Sequence, residues 1–471
     1  MLPLSIPCFL FLIHALLAGQ SIATLFPPSN ETTLIAALHA CTELKSVLGS
    51  SIVQSFGAEY QAAASNAWNL QNAEYQPTCI VFPAMKGWNS VQAGVLIMFS
   101  HMQKASYDPE KDTIELEPGI RWRDAVVALE PYSVAPVGGR VGDVGTGFLL
   151  GGGLSWLSPS KGYAADNFKE LDIVLVNGDM VTVTATNQHS DLLRALKGGG
   201  NRFGIVTRYE LYPAHTGTKD TKPFFGGSMI FNSSDALLRA TAKYVREVDD
   251  PKAVLLVTVV LIVQDKEITP FYGAFMFYNG TELPANIFGD FLSIPAISSK
   301  LGPASYLDVT ATLGLENERG YVQHFGASAL VGEEDLFLDA FEHLKNFTMA
   351  FKDQFNVTSL AFTPIPDSQI QAGHAKGRNI INAPRGGFSA VQIMQTLKSG
   401  VRDITSDLQR GIDLLFEQIP PSPGLPLFLN ECDLYQNVYQ SYGDYNLLKE
   451  IYAKYDPTRF NVQHTQGPIG L

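Results

Sequence analysis

The segment from Val137 to Ser155 places eight glycines in nineteen residues. Glycine loses the most backbone freedom on folding and has no side chain to pack, so such density marks a place where something approaches the main chain closely. Bare N–H groups arrayed along a turn form a concave, positively polarised cradle for phosphate oxygens. A purely structural glycine-rich turn is the competing explanation. A second cluster, Lys197-Gly198-Gly199-Gly200-Asn201-Arg202-Phe203-Gly204, runs directly into the strand-like Ile205-Val206-Thr207. Between the two lies Tyr163-Ala164-Ala165-Asp166-Asn167. A dinucleotide-sized ligand crossing several backbone segments accounts for all three.

At 471 residues the chain is long enough for two domains, each with its own core. An apolar content of 46% with 17% charged residues describes a packed globular protein. The net charge of −13 argues against nucleic-acid or anionic-membrane partners, which call for basic surface. Residues 1–23 read as a secretory signal, with an apolar run from Cys8 to Leu17 and small residues at Ser21-Ile22-Ala23. Pro3, Pro7 and His14 interrupt a stretch already too short to span a membrane comfortably. Acceptor sequons at Asn30, Asn232, Asn279, Asn346 and Asn356 agree with a secreted glycoprotein. After cleavage Cys41, Cys79 and Cys432 remain. In an oxidising compartment Cys41 with Cys79 is the expected pair, although sequence alone does not prove it.

Thr32 to Leu48 has helical apolar spacing, and Cys79-Ile80-Val81-Phe82 and Val95-Leu96-Ile97-Met98 are short buried-strand runs. Strand-like Thr113–Glu117 precedes a short helix at Trp122–Glu130. Asn177-Gly178-Asp179 between two apolar runs predicts a hairpin. A short helix at Ser190–Leu196 and a strand at Gly204–Tyr212 follow. The polar, breaker-rich stretch from Thr216 to Pro223 marks a domain boundary. Beyond it, strands at Val254–Val263 and Tyr272–Tyr278 and helices at Asp335–Phe351 and Val401–Glu417 suggest an antiparallel sheet backed by helices. A last helix is expected over Gly443–Lys454.

The stretches Gln76–Pro83, Val137–Ser155, Tyr163–Asn167, Lys197–Thr207 and Tyr455–Pro468 occur in the order of a known family. By them the chain resembles flavin-linked oxidases of the berberine-bridge-enzyme type, whose FAD-binding domain is of the p-cresol methylhydroxylase type. The resemblance implies an α+β fold: a two-lobed FAD domain over residues 24–215, a substrate domain with a large antiparallel sheet over 216–425, and a C-terminal segment, 426–471, returning to the FAD domain. It implies an FAD-dependent oxidoreductase that oxidises a small alcohol, sugar or secondary-metabolite intermediate by hydride transfer to the flavin, with O2 as acceptor. The implied FAD contacts are Gly138, Gly139, Arg140, Val141, Asp143, Gly145, Thr146, Gly147, Gly151, Gly152, Gly153, Ser155, Asp166, Gly204, Ile205 and Val206. For Arg140 a surface charge is the rival explanation. Asp166-Asn167 suits fixing turns better than moving protons.

One departure stands out. Where the family places a helix, a strand and a loop carrying a flavin-linked histidine, this chain has only Ala84–Gly94. A parallel crossover needs a dozen or more residues, so the unit cannot be rebuilt from that interval. No Arg-Gly-Gly-His-like sequence occurs, Val141 stands where a second, cysteinyl attachment would be, and His101 does not match the linking position. Loss of coding sequence, non-covalent FAD, or a secreted non-catalytic relative that keeps the fold are the three explanations. Phe148, where the family favours glycine, is expected to crowd a ligand over Gly147.

Oxidation of a C–H carbon requires a base within hydrogen-bond reach of the adjoining O–H or N–H proton. The resemblance puts that base near Phe428–Tyr435, with Glu431 and Tyr435 as candidates; for Glu431 a solvated position beside a strand is the rival reading. No metal site is expected, since neither His-x-x-x-His nor a paired ligand cluster occurs, and no Gly-x-Ser-x-Gly marks a hydrolase.

Overall fold

A computed structural model describes residues 31–67, 69–82, 94–313 and 319–471. The expected signal segment, Asn30 and nearly all of the Ala84–Gly94 interval lie outside these. In the first lobe the helix Glu31–Leu48 turns Ala37 and Cys41 inward, one helical turn apart. They face a three-stranded sheet of β1 (Val53–Gln54), β2 (Cys79–Val81) and β3 (Val95–Ile97). β2 and β3 run parallel, with Cys79 opposite Val95. Cys41 is joined to Cys79, with Cα atoms 6.0 Å apart.

The second lobe contains β4 (Ala105–Asp108), β5 (Thr113–Leu116), β6 (Val134–Ala135), β7 (Phe168–Val174), β8 (Met180–Thr184), β9 (Ile205–Leu211) and β10 (Ala214–His215). Five of these form an antiparallel sheet in the order β4-β5-β9-β7-β8, and β10 pairs with β6. The hairpin between β7 and β8 closes through Leu175 N donating to Asp179 O, with Gly178 at φ 87°. That conformation suits glycine, as the Asn-Gly-Asp signal predicts.

After the polar stretch come β11 (Phe224–Phe231), β12 (Ala253–Gln264), β13 (Glu267–Asn279), β14 (Ala296–Ala304), β15 (Gln323–Leu330), β16 (Phe355–Ile365) and β17 (Phe388–Leu397). They form one antiparallel sheet in the order β14-β11-β13-β12-β16-β17-β15, so β15 is an edge strand. The helices Ser234–Glu247, Glu334–Ala350 and Ser406–Gln418 cover one face through Leu237, Phe337, Phe341, Leu344, Ile412 and Leu415. The other face contributes Leu256, Phe277, Ala327, Ala329 and Ala390 to a core shared with Leu150, Leu154 and Trp156. The antiparallel sheet with helices on one side is therefore present.

The helix expected from Val401 instead begins at Ser406, because the Thr405 hydroxyl caps it by accepting from Leu408 N. The C-terminal helices Tyr445–Tyr455 and Phe460–His464 return to the second lobe, where buried Arg202 donates to the carbonyls of Asn461, Thr465 and Pro468. Asn232, Asn279 and Asn346 are exposed and Asn356 is half-buried. Among the described residues no helix is long and apolar enough to cross a membrane.

Candidate cofactor and active site

The glycine run wraps around side chains of its own protein before it reaches open space. Gly138 and Gly139 lie flat on the Trp122 ring, where a Cβ on either would stand 2.5 Å from a ring atom. Gly151 gives the same clearance to the Asn430 amide and Gly153 to the Phe148 ring. Phe148 thus turns toward Gly153 and packs edge-on to Trp122 at 5.6 Å, instead of crowding Gly147. Nothing lies within 4 Å of a Cβ on Gly147, which is exposed beside exposed Asn430 and Val144. The N–H groups of Gly138, Gly139, Arg140 and Val141 donate to no acceptor among the described residues. Asn430 closes the loop, accepting from Gly153 N at 3.3 Å and donating to Phe148 O at 3.1 Å.

Several residues expected at the ligand are occupied internally. The Thr146 hydroxyl donates to Pro118 O, Ser155 Oγ accepts from Leu157 N, and Asp143 faces Arg123 at 3.4 Å. Gly145 lies against Ile120 O, and Gly152 against Ile381 and Tyr163. Asp166 is fully buried and accepts from Tyr163 N at 2.8 Å and Asn379 Nδ2 at 2.9 Å. Burial pushes its carboxyl up, opposed by those bonds and by Lys197 and Lys376. Asn167 Nδ2 donates to the carbonyls of Lys161, Tyr163 and Ala164, the turn-fixing role its residue type suggests.

The second glycine cluster also serves the protein's interior. Tyr442 and Tyr439 donate to the carbonyls of Gly198 and Gly199. The turn Gly200–Phe203 packs against Gly147–Leu150, so the two clusters meet. Gly204 lies against Val174 O, while Ile205 and Val206 begin β9 beside the end of β7; Ile205 is exposed and Val206 buried.

Arg140 is not a surface charge. Its Nη1 donates to Thr363 Oγ1 on β16 at 2.8 Å, its guanidinium lies 5.8 Å from the Trp156 ring, and its Nη2 is 3.6 Å from Glu431 Oε1. Glu431 sits on the turn Leu429–Glu431 with its side chain only 13% exposed, so the solvated reading of it is wrong. Burial lifts its carboxyl above the usual carboxylate range, and Arg140 partly offsets that. Beside Arg140 is a cavity of about 10 Å³, lined also by Trp156, Tyr244, Thr363 and Gln369, with room for one water. Tyr435 is 57% exposed and stands apart from this pair. His101 is exposed, 3.7 Å from Glu59. Among the described residues no His, Cys, Asp and Glu cluster suits a metal ion.

Residues 84–184 match the family described as FAD binding domain. An uncharacterized FAD-linked oxidoreductase of Arthroderma benhamiae is 28% identical over 469 residues, covering 88% of this chain and 91% of that protein. An FAD-dependent monooxygenase of Arthrobotrys oligospora is also 28% identical, covering 91% of this chain and 88% of that one. The fold is similar to that of berberine bridge enzyme from Eschscholzia californica, with a TM-score of 0.70 at 15% identity over 92% of this chain and 99% of that one. The chain is thus similar to berberine bridge enzyme in fold and to fungal FAD-linked oxidoreductases in sequence, and it is an FAD-linked oxidoreductase.

As such an oxidoreductase it is an enzyme with FAD as its cofactor. The donor set fits FAD over residues 138–147: four unused main-chain N–H groups and unfilled space over Gly147 suit an anionic bridge and a flat ring. Gly151 to Gly153 face side chains of the protein. The sequence does not mark Asn430, Thr363 or Trp156 as site residues. Asn430 adjoins a candidate and was findable, whereas Thr363 carries no local signal.

Proposed function

We propose that this FAD-linked oxidoreductase oxidises a small organic alcohol, sugar or secondary-metabolite intermediate, with Glu431 as the proton acceptor. The observation that carries this is the buried Glu431–Arg140 pair, next to Asn430, whose side chain bonds to the glycine loop. A carboxylate with a raised pKa is closer to neutrality in proton affinity, which favours proton transfer at ordinary pH. Arg140 keeps the carboxylate charged and aimed, and Thr363 fixes Arg140. Trp156, only 2% exposed, sets its ring 5.8 Å from the guanidinium. Bound FAD supplies the hydride acceptor, with O2 as the terminal oxidant in this reading. The A. oligospora relative is named a monooxygenase, so oxygen insertion is the alternative outcome that product analysis separates.

We also propose that FAD is held without a covalent bond, supported by Val141 at the expected thiol position and by the lack of histidine in Ala84–Gly94. Secretion as a glycoprotein is the proposed location, supported by the apolar segment within residues 1–23 and the exposed Asn232 and Asn279. Mass spectrometry of the secreted protein before and after deglycosylation tests it.

Anaerobic stopped-flow reduction of FAD-loaded protein, with a panel of alcohols and sugars, tests the reaction. Glu431→Gln is expected to slow flavin reduction by roughly 10²–10⁴-fold at unchanged flavin content. Wild-type reduction should fail as pH drops through the raised carboxyl pKa, because only the ionised form accepts a proton. A rate unaffected by Glu431→Gln would remove Glu431 from the chemistry. Acid precipitation decides attachment: yellow colour in the supernatant is expected, and colour in the pellet refutes it.

A further inference from the structure

The segment Phe428–Gln436 grips two parts of the molecule. One end carries Asn430 and Glu431 to the glycine loop and Arg140. The other end wraps the edge strand β15. There the Gln436 side chain imitates a neighbouring strand, accepting from Ala327 N at 2.9 Å and donating to Ala327 O at 2.8 Å, and it also accepts from Asp433 N. Beyond that edge the Asp433 carboxylate meets His324 Nε2 at 2.9 Å, with both side chains only 11% exposed.

His324 is well fixed for this contact. It stands opposite Gln395 on β17, its Nδ1 lies 2.8 Å from the Gln395 amide, and its ring stacks on Phe416 at 5.9 Å. Asp433 can only accept there, so His324 Nε2 carries a proton and donates. Gln395 Nε2 is a buried donor without a partner; turning the amide over places it on Nδ1 and satisfies both groups. Asp433 Oδ1 also accepts from Tyr435 N at 2.7 Å, which sets the chain direction leaving the Glu431 turn.

We propose that His324 is a positioning residue for the Asn430–Glu431 turn, acting through Asp433 from the edge strand β15 itself. It touches neither the glycine loop nor Arg140. It anchors the segment on a rigid sheet so that Glu431 keeps its register against Arg140. The proposal deepens the reading of Glu431 as proton acceptor and rests on it for its effect on rate, but the anchoring is measurable separately. Cys432 lies between Glu431 and Asp433, is the free cysteine among the described residues, and donates to Leu429 O at 3.1 Å. Burial pushes its thiol up to about 12, so it reports any loosening of the segment.

The experiment compares wild type, His324→Ala, His324→Gln and Asp433→Asn as FAD-loaded proteins. It follows Cys432 labelling by a disulfide reagent under native conditions and anaerobic flavin reduction. His324→Ala is expected to speed labelling by about tenfold or more and to slow reduction at unchanged flavin content. His324→Gln, whose amide can still donate to Asp433, should recover both. In a Glu431→Gln background His324→Ala should slow reduction no further. Asp433→Asn, nearly isosteric, stands in should His324→Ala fail to fold, and should also speed labelling. Unchanged labelling in every folded variant overturns the proposal. Faster labelling with unchanged reduction supports the anchor and overturns Glu431 as proton acceptor.

Discussion

Arg140 and Glu431 are worth separating experimentally because each answers a different question about the other. The carboxylate is buried, and the guanidinium 3.6 Å away opposes the rise that burial imposes. A neutral amide in place of Arg140 removes that opposition, so the acid limb of flavin reduction in Arg140→Gln should move to higher pH. The direction follows from sign: without a nearby positive charge the ionised carboxylate is less favoured, so a higher pH is needed to form it. A limb that stays in place would mean that Glu431 does not titrate in that limb. Both residues were visible in the sequence by type, yet their pairing was not. They lie in the FAD-binding and C-terminal segments respectively, and no local pattern brings position 140 to position 431. The solvated reading of Glu431 failed for the same reason, because its burial is supplied by a distant arginine and the Trp156 face of the core.

Among the elements, the glycine clusters show what local pattern reveals and where it stops. Close approach to the backbone was a correct inference, but much of it is approach by Trp122, Asn430 and Phe148. Gly147 and Gly204 differ in a way that can be tested. Gly204 has φ 144° and its Cβ would stand 2.2 Å from Val174 O, so Gly204→Ala should destabilise by roughly 2–4 kcal/mol through backbone strain and lost β7–β9 register. Gly147→Ala meets no atom and should leave apo-protein melting unchanged while weakening FAD binding measured by fluorescence titration. Equal melting losses in both would place Gly147 in packing as well. The β7–β8 hairpin was legible because its turn needs Gly178, a chemical requirement that sequence displays. Strands β16 and β17 carry no clear sequence signal. Their polar Thr358, Ser359, Gln395 and Thr396 are buried, with Thr358 meeting Thr348 on the covering helix and Gln395 and Thr396 meeting His324 and Gln323 on β15, which blurs the apolar pattern.

At the scale of the whole molecule, stability is unevenly distributed. The second lobe and the sheet domain share one large core with the C-terminal segment, whereas the first lobe rests on two small clusters. One of these consists of Cys41, Val53, Cys79 and Val81, so the disulfide is built into it. Small cores bury too little surface to offset chain entropy without such a staple. Closing a loop across a sequence separation of 38 is worth about 4 kcal/mol in the chain-entropy account. Reduction, or Cys41→Ala with Cys79→Ala, should therefore unfold the first lobe at a lower temperature while the sheet domain melts as before. Calorimetry should resolve two transitions where the intact protein shows closer ones, and hydrogen exchange should accelerate over Glu31–Leu48 and β1–β3 alone. Accelerated exchange reaching β12 and β16 would instead mean that the first lobe supports the entire fold.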